Sequence, residues 1–69
     1  MLMAARPKLD VPLYLRRAHD EVLLALFSET NADEAVHRER AGAFVREAVL
    51  TISDDPEREY DWSALVAHA

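Results

Sequence analysis

With 69 residues, no cysteine and a single glycine, the chain has room for one small domain and no disulfide or thiolate metal site to staple it. A chain this short buries only about 60% of the surface that its unfolded form exposes. A histidine/carboxylate metal site, unusually good helix packing or a partner surface must therefore make up the difference. The formal net charge of −5 disfavours general binding to phosphate backbones, and 51% hydrophobic with 30% charged residues excludes a disordered composition.

The longest apolar run, Val22 to Phe27, has six residues, against roughly 18 for a membrane span. The start, Met1-Leu2-Met3-Ala4-Ala5-Arg6, lacks the basic-then-apolar order of a secretory signal. The expectation is a cytoplasmic protein with no membrane partner.

Residues 1–9 show no periodicity and read as a loose tail. Asp10-Val11-Pro12 is a helix-start signal, an acidic cap followed by proline in the first turn. The first helix is expected over 11–28. Val11, Leu15, Ala18, Val22, Ala25 and Leu26 form its inward stripe. Ser28-Glu29-Thr30-Asn31 breaks it, and Asn31-Ala32-Asp33-Glu34 resembles a capping box. The second helix is expected over 32–52, with Ala41, Phe44, Val45, Ala48 and Ile52 inward and His37 on the same side. Asp54-Asp55-Pro56 ends it, because the residue before a proline avoids helical dihedrals. A short third helix is expected over 56–67, carrying Trp62 and Leu65.

Two helices joined by so short a loop must lie antiparallel. Centring the turn between Glu29 and Thr30 sets Ala18 level with Ala41 and Val11 level with Ala48. These small residues allow a close seam, and Gly42 is a candidate for another close contact. The fold class is therefore all-α: an antiparallel two-helix hairpin with a short C-terminal helix, pairing as a homodimer into a four-helix bundle.

The dimer follows from surplus apolar surface. Leu23, Leu24 and Phe27 lie roughly opposite the inward stripe of helix 1, and a helix apolar nearly all round is covered on more than one side. Either the C-terminal segment or a second chain must cover that patch. The expected partner or dimer surface is Leu23, Leu24, Phe27, Trp62 and Leu65, and the expected role is protein–protein contact as an adaptor, regulator or assembly subunit. Two alternatives are an antitoxin-like acidic regulator on a basic partner, and a metal-binding bundle.

The metal alternative rests on Glu34-Ala35-Val36-His37, since Glu-x-x-His is a ligand pair of di-iron bundles. Helix 1 offers no carboxylate level with it: Glu29 lies too near the loop and Glu21 points sideways. No metal and no other cofactor is expected. His19, Asp20, Glu21 and His37 form a possible polar cluster at the margin of the core.

Enzymatic chemistry finds no footing. Ser28, Ser53 and Ser63 sit at helix boundaries, where capping is the ordinary role. Gly42 alone makes no phosphate-cradling loop. Arg16, Arg17, Arg38, Arg40 and Arg46 alternate with acids, and a recognition helix opening Ala32-Asp33-Glu34 would meet phosphate with like charge, so nucleic acid is not an expected partner.

The segment Tyr14-Leu15-Arg16-Arg17-Ala18-His19-Asp20-Glu21, with Ala35-Val36-His37-Arg38-Glu39-Arg40-Ala41, resembles a group of short proteobacterial helical-hairpin proteins over residues 14–48. Those proteins carry Tyr-x-x-Arg-Ala-x-x-Glu followed by Ala-x-His and a small residue four positions on. Phe44 stands here where the pattern has a tyrosine-type aromatic. The resemblance implies a helical hairpin and assigns no catalytic or binding residue.

Overall fold

The computed structural model describes residues 9–66. Apart from Leu9, the expected N-terminal tail lies outside that range, as does the last residue of the expected third helix. The described chain folds as two long helices packed against each other, α1 over Val11–Leu26 and α2 over Asn31–Asp54, with a single helical turn, α3, over Ser63–Val66. No strand occurs among the described residues.

The start of α1 follows the sequence signal. The Asp10 carboxylate accepts from the Leu13 amide at 3.1 Å, and Pro12 occupies the first turn, where its missing amide costs nothing. At the other end Phe27 leaves helical geometry, and the Ser28 hydroxyl donates to the Leu24 carbonyl at 2.7 Å.

The cap of α2 sits one residue earlier than expected. The Thr30 hydroxyl accepts from the Asp33 amide at 3.0 Å, so Thr30, not Asn31, caps the helix. Asp33 and Glu34 lie in the first turn, where the helix dipole favours negative charge. Glu34 does not reach back to the cap; its carboxylate lies 3.9 Å from Arg38 one turn on. The helix continues two residues past the expected 52 and ends before Asp55, whose extended dihedrals suit the residue ahead of Pro56.

The seam between α1 and α2 is small-sided. Val11, Ala18, Ala41 and Ala48 are its buried apolar residues, and among the described residues Val11 is the one large side chain fully removed from solvent. These are the four residues that the turn-centred register sets level with one another. Two contacts from α1 to α2 fall within one residue of that register: Tyr14 meets Phe44 edge-on at 5.4 Å between ring centroids, and His37 meets Glu21. Gly42 marks no close approach of the helices. A β-carbon there would meet the Arg46 guanidinium of its own helix, at 3.4 Å.

The inward stripes are narrower than their periodicity implies. Val22 and Leu26 of α1 and Val45 of α2 stand exposed rather than inside, while Leu15, Ala25, Phe44 and Ile52 are half-buried. One neighbouring helix covers only a narrow seam. A wide apolar stripe needs a second layer.

The C-terminal segment departs from a helix over 56–67. Residues 56–57 form a turn, and the chain then runs irregularly to Asp61. Asp61 caps the final turn, its carboxylate accepting from both the Ser63 hydroxyl at 2.7 Å and the Ser63 amide at 3.0 Å. α3 packs against α1.

Candidate interaction surface

Leu23, Leu24 and Phe27 stand at the turn end of α1, all exposed, with Phe27 81% accessible. Trp62 and Leu65 belong to the opposite, open end of the hairpin. Trp62 packs edge-on to Tyr60, 5.7 Å between centroids, in a cleft of about 410 Å³ that Ile52 of α2 also lines. At 1.5 Å per helical residue the two groups lie roughly 30 Å apart along the hairpin. The five residues expected as one surface are thus two separate groups. The described part of the C-terminal segment leaves the Leu23–Phe27 patch open, because that segment follows α2 back to the far end of α1. There Val11 and Pro12 are buried.

Helical periodicity sorts the remaining exposed residues. With Ala18 and Ala41 pointing into the seam, a step of about 100° per residue puts Tyr14, Arg17, Glu21, His37 and Phe44 on one side of the hairpin. Val22 and Leu26 of α1 and Val45 and Val49 of α2 fall on the other.

The first side is closed by contacts across the seam. The Arg17 guanidinium lies 6.0 Å from the Tyr14 ring centre, and Tyr14 in turn packs on Phe44. Two turns further along, His37 Nδ1 and Glu21 Oε1 are 2.6 Å apart, with only 24% and 16% of the two side chains accessible. An ionised carboxylate can only accept, so Nδ1 carries the hydrogen and donates. Glu21 therefore faces α2 and does not point sideways. The turn-centred register held the signal: it sets Glu21 level with Arg38, one residue from His37.

The second side has no such closure. Leu26 is 72% and Val49 53% exposed, with Val22 and Val45 also open. Of these, Val22, Leu26 and Val45 belong to the stripes that periodicity directs inward. The available signal to the contrary was the absence of any third element long enough to lie over them.

Glu34 turns to Arg38 and His37 to Glu21, so Glu-x-x-His does not act as a pair. His19 lies 3.6 Å from Asp20, which also accepts from Arg16 at 3.3 Å. Among the described residues no three His, Cys, Asp or Glu side chains come together as a cation site, and no helix is long and apolar enough to cross a membrane.

In the C-terminal segment the Arg58 guanidinium stacks over Tyr60 at 4.9 Å, and the Tyr60 hydroxyl is buried without a hydrogen-bond partner among the described residues. The Asp61 carboxyl is held below its ordinary value of 3.8, first by the Ser63 hydroxyl and then by the Ser63 amide. No protein-family model, curated protein or solved structure matches the chain.

Proposed function

We propose that this chain acts through protein contact, as a self-associating helical hairpin serving as an adaptor, regulator or subunit of an assembly, and that it is not an enzyme. One observation carries the reading. Among the described residues the buried apolar side chains are Val11, Pro12 and three alanines, while Leu24, Leu26, Phe27, Val49 and Leu50 are half or more exposed. Apolar surface left in water forgoes roughly 25 cal/mol per Å² of stabilisation. A hairpin with so slight a core gains most by covering that surface with another protein. The acidic balance of −5 keeps a small association module from collapsing into larger aggregates.

Sedimentation equilibrium at micromolar concentration tests this directly. The expected species is a dimer of the 7.8 kDa chain, with helicity that falls on dilution because folding and association are linked. A folded, concentration-independent monomer would overturn the reading.

A further inference from the structure

We infer that the C-terminal segment, residues 57–66, is a strap that undocks from the open end of the hairpin while the hairpin stays folded. Docked, it covers an apolar step; undocked, it bares it. Strap and step belong to one chain, so this device does not rest on self-association.

The step follows from the unequal helices. α1 has 16 residues and α2 has 24. In the register that sets Val11 level with Ala48, residues 49–54 of α2 run past the start of α1. Ile52 stands on that overhang, one turn beyond Ala48, where α1 offers no helix to meet it. Ile52 is nevertheless half-buried, and it lines the cleft together with Pro56, Tyr60 and Trp62. Pro12 gives the matching sign on α1. A step of about 100° per residue turns it roughly 120° from Ala18, away from α2, yet it is buried. Besides α2, the described element that packs on α1 is α3. The strap therefore lies across the step, with Tyr60 and Trp62 beside Ile52 and α3 against the start of α1.

Three features make the docked strap separable. First, α3 has four residues, and an isolated helix shorter than about 12 residues is marginal in water. Its order comes from the Asp61 cap and from docking. Second, polar side chains of the strap turn to one another and not to the hairpin. The Arg58 guanidinium lies over the Tyr60 ring, and the Asp61 carboxylate accepts from the Ser63 hydroxyl. Third, the Tyr60 hydroxyl is buried without a hydrogen-bond partner among the described residues. Such a group forgoes the bonds that water would give it, so docking carries a penalty that undocking relieves. Apolar burial over Ile52 and Pro12 opposes that penalty. The balance makes the segment a local opening unit, distinct from the seam of Ala18, Ala41 and Ala48.

Amide hydrogen exchange tests the strap. The Leu65 amide donates to the Trp62 carbonyl at 3.0 Å and reports on the segment, whereas the Ala41 amide reports on the hairpin. Leu65 should exchange at least about tenfold faster than Ala41, through an opening that depends less on denaturant. Tyr60→Phe deletes the unpaired hydroxyl and should slow Leu65 exchange about tenfold. Ile52→Ala trims the surface under the strap and should speed it about tenfold. Ala41 exchange should stay unchanged in both variants.

Three results would overturn the strap. Leu65 and Ala41 exchanging through one common opening would show a segment fused to the hairpin. Unaltered Leu65 exchange in Ile52→Ala would show a turn that frays without undocking. Unaltered or faster Leu65 exchange in Tyr60→Phe would show a hydroxyl that carries no penalty in the docked state. Tyr60→Phe removes a single oxygen, so folding of the variant is not at stake.

Discussion

On one side of the hairpin, side chains from α1 and α2 reach each other: Tyr14 packs on Phe44 and His37 donates to Glu21. On the other side Val22, Leu26, Val45 and Val49 stand apart in solvent. The difference is one of reach. Aromatic, histidine and glutamate side chains bridge two helices whose axes are held together by alanines, and they close that side on themselves. The valines and leucine beside the same seam stand at different levels of the two helices, so they do not meet across it. The seam of Ala18, Ala41 and Ala48 thus brings the helices together without supplying enough buried surface to finish a fold. The closed side ties the two helices together, and the open side leaves its apolar side chains exposed.

The largest expected effect lies in the seam, which both sides depend on. Ala41→Leu inserts three extra carbons where 6% of the residue is accessible. Overpacking of this kind costs about 1–3 kcal/mol, a large share of the stability of a chain this small. Circular dichroism should show a lower melting temperature. An unchanged or higher one would mean that the seam is loose, and the division into two sides would lose its basis.

The closed side is probed by a double-mutant cycle on Glu21→Ala and His37→Ala. Each single change should destabilise the hairpin, and the coupling between them should be about 1 kcal/mol, as for a half-buried hydrogen bond. Denaturant melts read it. Strictly additive losses would mean that the 2.6 Å contact does not tie the helices together, and the two sides would then be alike in energy.

The smallest effect is expected at Asp61, which lies outside both sides. Hydrogen bonds from Ser63 lower its carboxyl pKa, so the capped turn is favoured above the unfolded-state value and is lost as pH falls through the lower folded one. Asp61→Ala should remove that response and loosen Ser63–Val66 alone, seen as faster amide exchange there. A fall in the melting temperature of the whole hairpin would show that the C-terminal segment shares in holding the two sides together.

Much of this fold was legible in the residues. Asp10 with Pro12 marked the start of α1, and Asp55 with Pro56 the end of α2, because caps and prolines act on the backbone next to them whatever the chain does elsewhere. The short turn set the antiparallel register, which placed Val11, Ala18, Ala41 and Ala48 together. The helix over 56–67 was less legible. Pro56 could open a helix as readily as a turn, and the choice of Asp61 as the cap depends on a path across the end of the hairpin. The candidate surface was legible only as an excess of apolar residues. Spacing cannot tell a side chain that meets a neighbour from one that meets water.

The sequence by itself therefore determined the two long helices, their pairing and the alanine seam, all consequences of local signals and one short loop. The tertiary structure decided which part of each apolar stripe is covered. It turned Glu21 toward His37, split Trp62 from Phe27 and left Val22, Leu26, Val45 and Val49 open. The reason is geometric. Periodicity fixes the angle at which a side chain leaves its helix, but burial requires a second surface at that angle, and one neighbouring helix provides it over a narrow strip.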